Sequence, residues 1–339
     1  MGGFRLRWQA GKHEAPHGAA SPAFRKGAKM RARTILLTCL FAAASLAAAA
    51  DTVSSHFDRS FPAKPGGTLK VEASFQDVTV AIAPGAQVHV VVDMKMTAWP
   101  AEAKKYLDAF EPVFKEEGDT LLVRSRAGVH FMVGFVSSEG KIEITMPTGM
   151  NIELDTGSGN CTVKGDASSN KVSCDTGSGD VLFDGSAREL KANTGSGDVT
   201  AAVSGPIEKA LFDTGSGDVT FTGQAALFSA DTGSGNVTAN GLIGEASFDT
   251  GSGDVTAAWP SLAEGSKLSA DTGSGSVEFK MPAGAAPGGV LDTSSGDVRC
   301  DFPASVEKRG THWALSGAAG SARLKVSTGS GDIKIIGAR

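Results

Sequence analysis

The chain has 339 residues, of which 44 are glycine and 41% are hydrophobic, so it is too long for a disulfide-stapled miniprotein and too regularly patterned for a disordered tail. Its formal net charge is −5, and residues 1–50 hold eight of the 32 basic residues but only one of the 37 acidic residues, which leaves −12 on the remainder. Nucleic acid and anionic membranes are therefore poor partners for that remainder.

Residues 1–50 have the pattern of a leader. A basic start at Met30 precedes an apolar run over residues 35–46 and a short stretch of alanines, which predicts a secretory signal cleaved before Asp51. The 29 residues before Met30 fit either a long basic n-region or a start codon assigned too far upstream, and we favour Met30 as the true start. The mature protein is then exported, to the periplasm, the cell envelope or the medium. No other stretch approaches the roughly 18 apolar residues of a membrane span.

Residues 51–147 predict an irregular β region. The segment 69–80 echoes the repeats that follow, and strands are expected at 88–96, 119–126 and 139–146. Between them, residues 100–114 place apolar side chains near helical spacing, which predicts one small capping helix. Such a helix could cover an end or flank of the sheet and protect a strand edge that would otherwise recruit other strands.

Residues 148–339 form a repeat. Each unit contains Thr-Gly-Ser-Gly or, once, Thr-Ser-Ser-Gly, and most units are 18–22 residues long. The first residues of these motifs are Thr156, Thr176, Thr194, Thr214, Thr232, Thr250, Thr272, Thr293 and Thr328. A 35-residue gap before Thr328 indicates one enlarged or degenerate unit.

Apolar residues recur two and four places before each threonine, and five and seven places after it. This alternation predicts about two half-buried strands in each repeat. We favour an all-β fold in which the repeats stack as a parallel β-solenoid, resembling a β-helix, with equivalent residues about 4.8 Å apart. The alternative is an antiparallel meander in which each Gly-Ser-Gly closes a hairpin.

With its serial T-G-S-G-D-V units behind a signal peptide, residues 66–339 resemble bacterial envelope proteins grouped as putative adhesins with β-strand repeats, a family of unknown function. The resemblance implies a β-solenoid in the cell envelope. It brings no ligand residues to carry over, and the sequence shows no surface anchor of its own.

Catalytic motifs are weak in this sequence. Asp213-Thr214-Gly215-Ser216 and its sisters read like the D-T-G-S loop of pepsin-like proteases, but such a protease needs two loops face to face, whereas a stack places all copies in one row. After the leader only His56, His89, His130 and His312 remain, none of them in a repeat. We therefore expect no enzyme and no cofactor, and keep an envelope hydrolase using the aspartates as the lesser alternative.

Two columns of aspartates accompany the threonines, one directly before each threonine and one four residues after it. Stacked carboxylates repel one another, and either calcium or hydrogen bonds from turn N–H and hydroxyl groups could offset that repulsion. Because asparagine and serine also occupy these columns, we favour hydrogen bonding over a calcium-binding β-roll. The calcium candidates are Asp175, Asp180, Asp213, Asp218, Asp249 and Asp254.

The predicted function is a non-enzymatic scaffold, structural or adhesin-like, that offers flat acidic faces to an unknown protein or glycan of the envelope. End-to-end self-association through the ends of the stack is an open alternative. Cys161 and Cys174 occupy inward columns, and whether a disulfide joins them is also left open.

Overall fold

The computed structural model describes residues 50–126, 135–302 and 305–337. The predicted leader and His130 lie outside the described residues. Within them the fold is all-β with one short helix. The described residues contain no helix that is both long enough and apolar enough to cross a membrane.

The N-terminal region consists of seven strands and the helix. The strands are β1 (Asp51–Pro62), β2 (Thr68–Ala73), β3 (Asp77–Ile82), β4 (Gln87–Ala98), β5 (Val113–Glu117), β6 (Thr120–Ser125) and β7 (Phe135–Met146), and α1 is Glu102–Ala109. The predicted helix extended to residue 114, but the observed one ends at Ala109. Phe114 instead lies in β5 and stacks on Phe61 with ring centroids 5.7 Å apart.

The first regular repeats are built from long strands. These are β8 (Asn151–Thr156), β9 (Cys161–Thr176), β10 (Val181–Thr194), β11 (Val199–Thr214) and β12 (Val219–Thr232). Each of the strands β9 to β12 continues through a corner of its repeat, whereas the sequence predicted two separate strands there. Glycines such as Gly165 (φ +113°) and Gly223 (φ +145°) lie at these corners, where their positive φ lets the chain bend without leaving the ladder.

Later repeats contain two separate strands, as predicted. They are β13 (Val237–Asn240), β14 (Glu245–Thr250), β15 (Val255–Ala258), β16 (Lys267–Thr272), β17 (Val277–Met281), β18 (Gly288–Thr293) and β19 (Val298–Cys300). A hairpin of β20 (Ser305–Arg309) and β21 (His312–Ser316) follows, and the chain continues through β22 (Arg323–Thr328) and β23 (Ile333–Gly337).

Equivalent residues of neighbouring repeats pair in parallel ladders. Val181 pairs with Cys161 and Val199, and Thr194 pairs with Thr176 and Thr214. The same register continues through β12 to β17. Among the described strands, the two that flank a Thr-Gly-Ser-Gly segment do not pair as a hairpin, so the meander alternative is wrong at these turns.

The order of the ladder departs from chain order near both ends. At one end β2 lies between β6 and β8, and β3 lies between β7 and β9. At the other end β22 lies between β16 and β18, and β23 lies between β17 and β19. The last repeat in the sequence is therefore held between two earlier ones.

Antiparallel strands extend the sheet at each end. Strand β1 pairs with β4 and β4 with β7, β5 pairs with β6, and β21 pairs with both β18 and β20. The sequence analysis identified no C-terminal cap, but the β20–β21 hairpin lies at that end of the sheet, against β18. The chain forms this hairpin first and then returns to form β22.

The main core is one continuous cluster of inward-facing side chains, and a small second cluster lies under α1. Large and small residues alternate along a column of the core. In one column the successive ladder partners are Phe212, Ala230, Phe248 and Ala270. The column two residues earlier has the opposite phase, Ala210, Phe228, Ala246 and Leu268. Each phenylalanine thus lies beside small neighbours, which fills the core evenly.

Candidate functional site

The edge of the stack formed by the Thr-Gly-Ser-Gly segments, called the turn edge below, is the most regular surface of the molecule. Its threonines are buried; Thr232 is 1% exposed. The Thr232 hydroxyl accepts the Gly235 N–H at 3.0 Å and donates to the Gly217 carbonyl oxygen of the preceding repeat at 3.1 Å. The same pair of bonds recurs in most repeats, so this threonine links each turn to the one before it.

The second glycine of each motif has no room for a side chain. A Cβ atom on Gly235 would lie 1.8 Å from the carbonyl oxygen of Gly217. The glycine and threonine of each Asp-Thr-Gly-Ser motif are therefore explained by the close packing of each turn against the turn of the preceding repeat. Asp213, Asp231 and Asp249 are successive ladder partners on one side of the stack, as the sequence predicted, and do not face one another in pairs.

The second Asp row, four residues after each threonine, forms a chain of hydrogen bonds between repeats. The Asp198 N–H donates to Oδ1 of Asp180 at 2.9 Å, and the Asn236 N–H donates to Oδ1 of Asp218 at 2.7 Å. Asp254 accepts the Ser276 N–H at 2.7 Å in the same way. The carboxylates accept N–H groups, as predicted, but these N–H groups belong to the next repeat and not to the same turn. The threonine hydroxyls do not donate to the carboxylates, because they donate to glycine carbonyl oxygens.

The first Asp row, directly before each threonine, has partner side chains only towards its ends. Asp155 pairs with Arg126 at 2.8 Å, Asp175 accepts bonds from Ser173 and Asn193, and Asp292 lies 2.6 Å from His312. Asp271 accepts a bond from Ser327.

Asp213, Asp231 and Asp249, in the middle of this row, contact no partner side chain among the described residues. Partial burial, together with the negative charges of Asp249 and Asp213, raises the pKa of Asp231. The centre of the first Asp row is thus an exposed line of unneutralised charge.

The calcium candidates are divided between these two rows. Asp175, Asp213 and Asp249 lie in the first, and Asp180, Asp218 and Asp254 lie in the second. In the part of the chain that the structure describes, no group of three or more His, Cys, Asp or Glu side chains is arranged to hold a metal ion.

The described histidines lie on antiparallel strands at the ends of the sheet, His56 and His89 on β1 and β4, and His312 on β21 beside Asp292 of the first Asp row. His56 and Asp93 approach to 2.6 Å, His89 and Asp58 to 2.8 Å, and His312 and Asp292 to 2.6 Å. Each imidazole therefore has a carboxylate partner on the neighbouring strand.

The inward cysteines are not bridged. Cys161 and Cys174 are buried and free, and Cys300 is also free. Burial, with the nearby charges of Asp175, Asp155 and Asp77, raises the pKa of Cys161 to about 12. Such a thiol behaves as a small hydrophobic side chain at neutral pH.

Two features of the surface were missed in the sequence. Arg126, which neutralises Asp155, lies at the end of β6 and gave no signal, because only the folded stack brings that strand end beside the first repeat. The column five residues before each threonine would have shown a second feature. No two cations are neighbours in that column until Lys267 and Arg323 pair.

A family model described as Toastrack DUF4097 matches residues 68–336. A search of curated proteins gave no match.

Solved structures are similar at low sequence identity. A putative adhesin from Parabacteroides distasonis ATCC 8503 is 12% identical, with a TM-score of 0.43 and coverage of 83% of this chain and 97% of that one. A putative adhesin from Parabacteroides merdae ATCC 43184 is 10% identical, with a TM-score of 0.37 and coverage of 83% and 96%. A putative lipid binding protein from Parabacteroides distasonis ATCC 8503 is 14% identical, with a TM-score of 0.34 and coverage of 84% and 95%.

Proposed function

The chain belongs to the Toastrack DUF4097 family, a domain of unknown function, and from that premise we propose that it is an exported, non-enzymatic β-solenoid scaffold of the bacterial cell envelope. In this proposal residues 1–50 are a leader, and the mature chain binds an envelope protein or glycan along the turn edge. The observation that carries the proposal is the uninterrupted line of Asp213, Asp231 and Asp249, which is exposed and lacks partners among the described residues.

The geometry supports binding more than catalysis. The central carboxylates of the first Asp row, Asp213, Asp231 and Asp249, occupy equivalent positions in successive repeats, and none of the described histidines lies beside them. A repeated row distributes contact over many weak, similar sites, whereas a catalytic site depends on a few differentiated groups.

The test measures retention of the labelled mature protein on isolated bacterial envelopes. We expect Asp231→Asn alone to keep at least half of the binding, and the triple replacement of Asp213, Asp231 and Asp249 by Asn to lower it about tenfold, because each exposed charge contributes little alone. The control replaces Ser229, Ser247 and Ser269 by Ala; these serines form the outward column two residues before the first Asp row on β12, β14 and β16. A complete loss with the single variant, or no loss with the triple, would contradict the proposal.

Calcium is the second candidate for the first Asp row, because the unneutralised carboxylates at its centre would be stabilised by a cation. We favour a row without metal, since the neutral residues Asn193 and Ser327 take the place of aspartate in the same row. Adding calcium to the metal-free protein should then leave the Tm nearly unchanged. A rise of more than about 5 °C, beyond the effect of roughly 1 kcal/mol, would favour the calcium-binding alternative.

A further inference from the structure

Three cations lie together on the outer face of β16 and β22, and we call them the basic cluster. Lys267 and Arg323 are direct ladder partners, so their backbones are about 4.8 Å apart. Lys325 is two residues beyond Arg323 and points to the same face. All three side chains are exposed.

None of the three side chains of the basic cluster forms an ion pair or hydrogen bond among the described residues. The nearest acidic residues are Glu245, which precedes Lys267 in the same column, and Glu264, which precedes β16. Like charges directly opposite one another destabilise a sheet. Earlier repeats avoid this arrangement at the same column, where Lys171 pairs with Glu189 at 2.8 Å.

A cavity of about 700 Å³ adjoins the basic cluster and is lined by both Arg323 and Lys325. It forms because the loop at 317–321 connects β21 to β22 and must cross β18, which lies between them. The crossing is close, since a Cβ atom on Gly317 would lie 2.3 Å from the Gly288 nitrogen. The loop leaves a recess whose other walls include Val290 and Leu315.

We propose that this recess is a binding site for a phosphate-bearing ligand. The guanidinium of Arg323 can donate two parallel hydrogen bonds to phosphate oxygens, and the ammonium group of Lys325 supplies a further charge and donors. Lys267 lies beside Arg323, outside the lining of the recess, and adds to the positive charge next to it. The volume is within the usual range for small-ligand sites, and the partly apolar wall can contact the remainder of a phosphorylated molecule. A bound anion would also relieve the repulsion between Lys267 and Arg323. The site does not depend on the function proposed for the turn edge.

The test compares the mature protein with a variant in which Lys267, Arg323 and Lys325 are each replaced by Gln. The matched control replaces Lys171, Lys191 and Lys209 by Gln, which removes the same charge from the same two columns of the same sheet. Binding of inorganic phosphate is followed by phosphorus NMR and by the Tm at constant ionic strength, with chloride as the reference anion. Phosphate should raise the Tm of the wild type and the control, and binding to the basic-cluster variant should be weaker by about tenfold or more.

A second arm distinguishes the source of the phosphate. Vesicles of phosphatidylglycerol in phosphatidylcholine are offered to the same three proteins, with pure phosphatidylcholine vesicles as reference. Binding of free phosphate alone identifies a soluble ligand, and binding of phosphatidylglycerol vesicles identifies a lipid headgroup, provided that the basic-cluster variant loses it and the control keeps it. The proposal is overturned if neither probe binds the wild type, or if the basic-cluster variant binds as well as the control.

Discussion

At the scale of the residue, the buried threonine explains why the motif is so uniform. Its hydroxyl satisfies a glycine N–H of its own turn and a glycine carbonyl of the preceding turn, and both groups are buried away from water. An unsatisfied buried donor or acceptor costs more free energy than the bond itself contributes. Serine lacks the methyl group that fills the space beside the core, and valine lacks the hydroxyl, so threonine meets both requirements at once.

Thr232→Val tests this role because the two side chains have nearly the same shape. We expect the free energy of unfolding to fall by about 2 kcal/mol, since the variant leaves the Gly235 N–H and the Gly217 carbonyl without their partner. The measurement is urea unfolding followed by circular dichroism. Thr220→Val is the control, because Thr220 is exposed on the same repeat and should change stability by no more than about 0.5 kcal/mol. Equal effects of the two substitutions would contradict the role assigned to the buried hydroxyl.

At the scale of the element, the ends of the stack obey different rules from its middle. In the middle, each strand pairs with the equivalent strand one repeat away. At each end two strands lie between partners from other parts of the sequence, β2 and β3 at one end and β22 and β23 at the other, so neither edge of these strands is left unpaired. Antiparallel strands cover the outer edges of β6, β7 and β18, which limits the templating of other chains there. This arrangement requires a crossing loop, and the crossing requires glycine.

Gly289→Ala tests the crossing. Gly289 has φ +136°, and a Cβ atom there would lie 2.0 Å from the Leu324 carbonyl oxygen of β22. We expect a loss of about 3 kcal/mol, because both the backbone conformation and the contact become unfavourable. Gly284→Ala is the control, since a Cβ atom there meets nothing within 4 Å. Hydrogen exchange should show the loss of protection in β18 and β22, and unchanged protection there would contradict this account.

At the scale of the whole molecule, the repeating columns were predictable and the order of the ends was not. Period-two alternation around each threonine identified the inward residues, and identical spacing aligned the two Asp rows. The units at Thr293 and Thr328 carry the same columns, however, so hydrophobic pattern alone does not decide which lies next to Thr272.

The helix boundary shows a similar limit. Phe110 and Phe114 fit helical spacing. The segment that contains Phe114 nevertheless forms strand β5, because it pairs with β6 along its full length. The partner of Asp155 was hidden for a related reason, since Arg126 comes from a strand that chain order places far from it. Local periodicity therefore predicts the repeat well, and long-range pairing determines the rest.

The alternation of phenylalanine and alanine along the core predicts how stability depends on the number of repeats that are removed. Removing residues 214–231 deletes one repeat and joins Asp213 to Thr232, which stacks Phe212 directly against Phe248. Removing residues 214–249 deletes two repeats and places Phe212 against Ala270, which restores the alternation found in the intact chain. Stability in repeat proteins normally falls as units are removed. Here the shorter variant should be the more stable, because the one-repeat deletion pairs Phe212 with Phe248 in one column and Ala210 with Ala246 in the next. Such a mismatch of large and small residues costs about 1–3 kcal/mol.

Thermal unfolding of the two deletion variants, with the intact mature chain as reference, gives the comparison. Both variants keep the turn register, since the residues that become neighbours are equivalent positions in the ladder. A third variant, the one-repeat deletion with Phe248→Ala, removes the clash and should recover part of the lost stability. If the one-repeat deletion proved more stable than the two-repeat deletion, stacking would depend on the number of repeats and not on the phase of large and small residues.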